Sequence, residues 1–255
     1  MKFNIKRIGV LLMLLFLIIE TTTQAQVINH NNDIWFHYLG KNKLNKKVSF
    51  TLEATMRYAN GFDEKQQYFI RPSLDYQFNK SFVGSIGYSH YNTYVYGEYS
   101  INKTNIPEDH IWIQVTHTAN SGDFKFTNRL RDEYRLVGIP LKKTDGDYEI
   151  DHYDYRNRLR YMFILNHPLI KDADGKSKMF LNIGNEVFIN IGVKEAKTLV
   201  QQNRVIAGFG YNLNEHHQIQ LNYIHQNNWN LGNTIQENNP TLRISYLTNF
   251  DWYNK

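Results

Sequence analysis

Along residues 48–58 apolar and polar positions alternate without an exception. Val48, Phe50, Leu52, Ala54, Met56 and Tyr58 share one side; Ser49, Thr51, Glu53, Thr55 and Arg57 share the other. A period of two over about eleven residues is the pattern and length of a tilted β-strand that crosses a bilayer, with one face toward lipid and one toward a polar lumen. The pattern recurs over 67–78, 82–91, 110–119, 124–136, 154–165, 179–190, 203–213, 218–226 and 241–250. Pro72 falls on the outer face and cannot donate to a ladder, so a bulge is expected there.

The connections alternate as well. Tight turns at 79–80, 120–122 and 214–216 separate longer loops at 92–107, 137–153 and 228–239, as in a barrel with short periplasmic turns and long external loops. The fold class expected is all-β, an antiparallel up-and-down transmembrane β-barrel of about ten strands, with twelve as the alternative. An even count places both termini in the periplasm. Residues 33–40 are mixed on both faces and would make an odd strand, so they are expected to be a lead-in segment that pairs with another short segment or folds into the lumen.

The N-terminus supplies the compartment. Lys2, Lys6 and Arg7 precede the apolar run 8–19, and Thr23 and Ala25 are small residues at the positions a signal peptidase reads. Residues 1–25 therefore read as a cleaved export signal, and 26–255 as one barrel domain with the lead-in at 26–46. The apolar run falls short of the roughly 20 residues of a membrane helix. The chain has no Cys, which excludes disulfide staples and a lipid-bearing cysteine. Loss of the three cations and Glu20 of the signal lowers the net charge from +5 to +3, too little to point to nucleic acid. Tyr and Phe gather near strand ends, as in the aromatic girdles of a barrel. The exceptions on the outer face are Asn128, Asp132, Asn157 and Asn185.

Charge sorting sharpens the picture. Arg57, Arg71, Arg129, Arg131, Arg135, Arg156, Arg158, Arg160, Arg204 and Arg243 all lie opposite the apolar face, whereas the lysines, Lys125 apart, fall in turns, loops and strand ends. Arginine is preferred where a charge must be packed and paired in confined space, because its planar fork bonds carboxylates bidentately. Glu53, Asp75, Glu133 and Glu186 share the inner face and are the expected partners. This cluster either fills the bore as a plug or leaves guanidinium groups free to bind or pass a small anion.

Signals for catalysis are thin. Asp145, Asp147, Glu149, Asp151, His152 and Asp154 form an acidic stretch that lacks the glycine and terminal glutamate of a calcium loop. His225 stands beside Gln226 and Asn227 without a serine nucleophile. No phosphate loop, dinucleotide fingerprint or zinc helix is present. The expected role is a passive one for an outer-membrane barrel: narrow or plugged pore, ligand binder or structural protein. An enzyme acting on lipid or peptide at the external rim and a soluble periplasmic β-protein are the alternatives.

EDHIWIQ (108–114), NRLRDEYR (128–135), YRNRLRYMF (155–163), NEVFINIG (185–192) and QNRVIAGFGYNLNEHHQIQLNY (202–223) together resemble the domain-of-unknown-function family 2490. The chain departs from that family at His110-Ile111, where a basic residue and a proline are usual. The resemblance implies a small outer-membrane β-barrel-like protein of Gram-negative bacteria and carries no established activity. Outer-membrane lipid, the barrel-assembly machinery during folding and a small anionic ligand are the partners expected, with no cofactor.

Overall fold

The computed structural model describes residues 27–253; the segment read as an export signal lies outside them. Twelve strands form one sheet: β1 (Val27–His30), β2 (Asp33–Lys43), β3 (Val48–Ala59), β4 (Glu64–Gln77), β5 (Phe82–Thr93), β6 (Ile106–Ser121), β7 (Phe124–Lys142), β8 (Tyr148–Lys171), β9 (Ser177–Ile191), β10 (Val200–Asn212), β11 (His217–Trp229) and β12 (Ile235–Asp251). From β2 to β12 each strand pairs antiparallel with the next. β12 then pairs in parallel with β2 and closes an all-β barrel of eleven strands, while β1 lies end to end with β2 along the same edge of β12.

The closing seam corrects the expectation for the N-terminal segment. Residues 33–43 neither fold into the lumen nor pair with a short stub; they are a full barrel strand, antiparallel to β3 and parallel to β12. The odd count puts the described ends on opposite rims, since Val27 sits beside Ile235 and Asp251 beside Lys43. One rim carries the connections 44–47, 78–81, 122–123, 172–176 and 213–216; the other carries 60–63, 94–105, 143–147, 192–199 and 230–234. Most of the stretch expected as an acidic loop is a ladder instead. Leu136 to Lys142 pairs with Tyr155 back to Tyr148, and this hairpin outruns its neighbours.

Side chains alternate as the sequence pattern requires. Phe36, Met56, Ile70, Leu74, Ile86, Ile111, Ile113, Leu221 and Ile244 are exposed on the outer wall, whereas Trp35, Trp112, Phe188, Arg71, Glu133 and Asn222 are buried inside. Tilted strands of an eleven-stranded barrel leave too much interior for aliphatic packing alone. The apolar interior is accordingly a patch, Trp35, Ile206 and Ile224 with Ile164 against them. Trp112 fits because it faces Gly87 on β5, where any Cβ would collide with the indole.

Pro72 produces no bulge. It interrupts the β4–β5 pairing at 71–72 without shifting the register. Bulges occur instead at Gln66, Asp151 and Gln201 near the long-connection rim, each the unpaired residue of its ladder, and at Leu169 and Lys178 in the β8–β9 ladder near the opposite rim. At two of them the extra residue turns consecutive glutamines, Gln66-Gln67 and Gln201-Gln202, into the lumen wall.

The polar residues on the outer wall are paired. Tyr161 donates to Asn128 (2.7 Å), Asn157 donates to Asp132 (2.9 Å), and Asn185 donates to Asn203 (3.2 Å) and to the Arg204 carbonyl (3.0 Å). Each of these polar groups thus satisfies another rather than facing an apolar medium alone.

Candidate functional site

Strand register builds the lumenal charge network directly. Glu53 lies opposite Arg71, Glu133 opposite Arg158 and Glu186 opposite Arg204, so each acid meets an arginine of the adjacent strand. Arg71 bonds Glu53 at 2.6 Å and Ser89 at 2.9 Å, and its remaining nitrogen donates to the Tyr91 hydroxyl. Glu133 takes Arg158 and Arg160, both at 2.6 Å, with Arg131 at 3.7 Å. Arg160 reaches on to Glu186 at 2.7 Å, which also holds Arg129 at 2.5 Å and Arg204 at 3.4 Å. Glu133 and Glu186 thus join five arginines of β7 to β10 in one connected ion-pair layer on the lumen wall, and Glu53 with Arg71 forms a separate pair.

Aromatic faces carry the guanidinium groups between the acids. Arg57 stacks 4.0 Å over Trp35, Arg131 4.1 Å over Trp112, and Arg160 4.4 Å over Phe188. Arg204 lies 4.7 Å from Phe188 and 5.0 Å from Trp35. A desolvated stack of this kind contributes up to about 2 kcal/mol. It lets weakly hydrated guanidinium groups pack where lysine ammonium groups would not.

The fourteen residues singled out from sequence divide unevenly. Arg129, Arg131, Glu133, Arg158, Arg160, Glu186 and Arg204 form the central network, and Glu53 with Arg71 forms a pair of its own. Arg135 belongs to a second pair with Glu108 at 2.7 Å, beside His110 at 3.0 Å from the same carboxylate. Arg156 lies at the rim with Asp154 at 4.0 Å. Asp75 is not drawn in; it accepts from Thr51 at 2.6 Å. Arg57 and Arg243 face the cavity with amide partners only, Gln67 at 2.6 Å and Asn222 at 2.9 Å. Glu108, Trp35 and Phe188 are the functional residues missed. The period of two runs through Glu108, His110, Trp112 and Gln114, which was the available signal for the first.

A cavity of about 960 Å³ runs through this layer, lined from Lys41, Lys125 and Gln220 to Lys103, Asn230 and Glu237. Its wall carries nine arginines and three lysines against four glutamates. With Arg131 and the inward acids Asp33, Asp75 and Glu133 counted as well, cations still outnumber carboxylates in the lumen.

The segment 94–105 folds inward across the long-connection rim. Tyr96 donates to Glu237 of β12 at 2.5 Å, the Gly97 amide to Glu64 at 3.1 Å and the Tyr94 amide to the Gln66 carbonyl at 2.9 Å. Burial, then the adjacent Glu237 carboxylate, push the Tyr96 hydroxyl well above its ordinary pKa, so it remains a donor. Tyr96, Ile101, Asn102 and Lys103 line the cavity and narrow its mouth.

The acidic stretch does not assemble into a reaction centre. His152 bonds Asp151 at 2.8 Å and lies 3.3 Å from Asp154, all three in the open on the projecting hairpin. Among the described residues no group of His, Asp and Glu is arranged to hold a metal ion. His225 meets only the Tyr223 hydroxyl at 3.5 Å among hydrogen-bond partners.

A closed all-β barrel with a charged lumen defines the class of this protein. The family model described as "Protein of unknown function (DUF2490)" matches residues 32–238, and the chain belongs to that family. No curated protein matches it. Among solved structures it is similar to the NanC porin in a rhombohedral crystal form, at 9% identity and a TM-score of 0.40, over 78% of this chain and 89% of that one. It is also similar to the siderophore receptor PirA from Pseudomonas aeruginosa, at 11% identity and a TM-score of 0.27, over 73% of this chain and 32% of that one.

Proposed function

We propose that this protein is an integral outer-membrane barrel whose lumen is a narrow, anion-favouring passage. The observation that carries the reading is the cavity wall, with its twelve cationic side chains against four carboxylates. A ring of fixed positive charge in a water-accessible bore concentrates anions and repels cations. Supporting the location, the outer wall exposes a belt of large apolar side chains, among them Ile86 at 56% and Ile111 at 62%, and every barrel strand has at least 11 residues, enough to cross a hydrocarbon core. A water-exposed surface of this extent would be expected to aggregate. Closure removes the free sheet edges that lipid does not tolerate. The central ion pairs and the segment 94–105 restrict the bore to small solutes. The test is single-channel recording on the refolded protein in a planar bilayer: discrete small openings are expected, and a silent bilayer in the presence of inserted, folded barrel would overturn the reading.

A further inference from the structure

The segment 94–105 closes over a polar cluster built from β1 and from the first residues of β2 and β12. Register sets Asn29 opposite Glu237 and Asp33 opposite Thr241, and Asn31 donates to Asn239 at 3.0 Å. From the segment, Tyr96 donates to Glu237 at 2.5 Å, and Gly97 packs so closely on Asn29 and Asn31 that a Cβ there would stand 2.5 Å from each. Gln66 of β4 donates to Asp33 at 2.5 Å and accepts from Trp35 at 2.9 Å, which ties the cluster to the lumen wall. Asp33 and Glu237 are each 2% exposed. The outward neighbours of Glu237 on β12 are the polar Gln236 and Asn238, and exposed large apolar side chains on that strand begin only at Leu242. The cluster therefore stands beyond the edge of the apolar belt.

The two carboxylates differ in what surrounds them. Glu237 accepts from Tyr96, from Asn228 at 3.2 Å and from Asn239 at 3.5 Å, whereas Asp33 accepts from Gln66 and its Oδ1 has no bonded partner. Hydrogen bonds to the charged form favour ionisation and burial opposes it, so the charge rests on Glu237 and the proton on Asp33. Burial, with the Glu237 charge adding, pushes the Asp33 carboxyl up to about 7. Among the described residues neither acid forms an ion pair; Arg57 of β3 acts on Asp33 from farther off, bonded to Gln67 and stacked on Trp35. Three other kinds of charge face the segment. Glu64 of β4 accepts from the Gly97 amide at 3.1 Å, the exposed Lys65 lies 5.9 Å over the Tyr94 ring, and Glu98 and Lys103 belong to the segment itself.

We infer that Asp33 and Glu237, beneath Tyr96, form a proton-operated clasp on the segment 94–105, closed while the pair holds one proton and released when both carboxylates are charged. The inference rests on the reading of the lumen as a passage, whose mouth this segment narrows. Loss of the Asp33 proton leaves two negative charges in one buried cluster without an ion pair, a cost that entering water relieves. Water enters by lifting Tyr96 and Gly97 off the rim. Because Asp33 in the closed state titrates above the ordinary carboxylate range, closure is fully favoured below that range and is lost as pH rises through the closed-state value. The mouth widens between about pH 4 and about pH 7.

The chain has no native cysteine, so single cysteines report the clasp without any need for conduction. In the full mature barrel folded in zwitterionic detergent, Ser100→Cys should react with a maleimide only when the segment lifts, since Ser100 is 8% exposed, whereas Tyr99→Cys, at a position 49% exposed, reacts in either state. The ratio of the two rates removes the pH dependence of the thiol itself. It is expected to rise about tenfold or more from about pH 4.5 to about pH 7.5. Asp33→Asn and, independently, Glu237→Gln should each hold the ratio at its low value throughout, and Glu64→Gln should leave the step in place. Heat-modifiable gel mobility reports folding of each variant. A step that survives Asp33→Asn or Glu237→Gln in folded protein, or one abolished by Glu64→Gln, would overturn the clasp. Conductance with a flat ratio overturns the clasp and leaves the passage standing. A pH step in a barrel that never conducts supports the clasp and removes the passage.

Discussion

At the scale of single residues, the lumen depends on a few carboxylates that each hold several arginines. Glu186 is 3% exposed and takes Arg129, Arg160 and Arg204, so Glu186→Gln keeps the volume, leaves Arg129 and Arg204 without a carboxylate and leaves Arg160 with Glu133 alone. The expected cost is about 3–5 kcal/mol, read as a lower urea midpoint of the barrel folded in vesicles; an unchanged midpoint would contradict the network. On the projecting hairpin, the hydrogen bond to Asp151 raises the pKa of His152, with Asp154 adding to it. A raised folded pKa means that the contact is complete below the unfolded value and is lost as pH rises through the folded one. The imidazole resonances should titrate above the ordinary range for histidine, and Asp151→Asn should bring the midpoint down. Sorting of arginines to the inner face was legible in sequence because parity alone decides it. The two that lack acids, Arg57 and Arg243, were not distinguishable there, since their isolation follows from which strand neighbours which at the seam. Asp75 fails as a partner for the same reason: register sets it opposite Ser49 and Ser85.

Among the elements, β2 was the hardest to read. Its inner face carries Trp35, His37 and Leu39 and its outer face Phe36 and Tyr38, so hydrophobicity does not separate the sides. Trp35 faces inward because an arginine covers it, a cation–π pairing that hydropathy does not register. The seam is directly testable in a chain without native cysteine. Tyr38 and Tyr246 are in register on β2 and β12, so Tyr38→Cys with Tyr246→Cys should cross-link under mild oxidation and change mobility after boiling. Cross-linking of residue 38 only to a shifted partner such as Leu242→Cys would contradict the parallel closure. Residues 92–107 were expected as a long external loop, and the inward fold of 94–105 depends on the Tyr96–Glu237 bond between parts of the chain far apart in sequence. Tyr96→Phe removes that bond, and a larger single-channel conductance is the expected result. An unaltered conductance would mean that this segment does not set the constriction.

For the whole molecule, alternation, closure and charge sorting converge on one object: a barrel apolar outside, cationic within. That much was legible in sequence because period-two alternation was confined to segments of strand length, and the fold class read from it stands with eleven strands closing the wall. The parity rule that placed both ends on one rim did not hold, because a parallel closing pair admits an odd number. Fractionation should recover the mature chain with detergent-solubilised outer membrane, shifting in mobility on boiling; recovery in the aqueous fraction would remove the membrane location. The central claim is the sign of the lumen, and the reversal potential of the reconstituted barrel across a potassium chloride gradient reads it directly. The account predicts a potential of the sign set by chloride, reduced when Arg57 and Arg243 are both replaced by Gln. A potential of the sign set by potassium would contradict it.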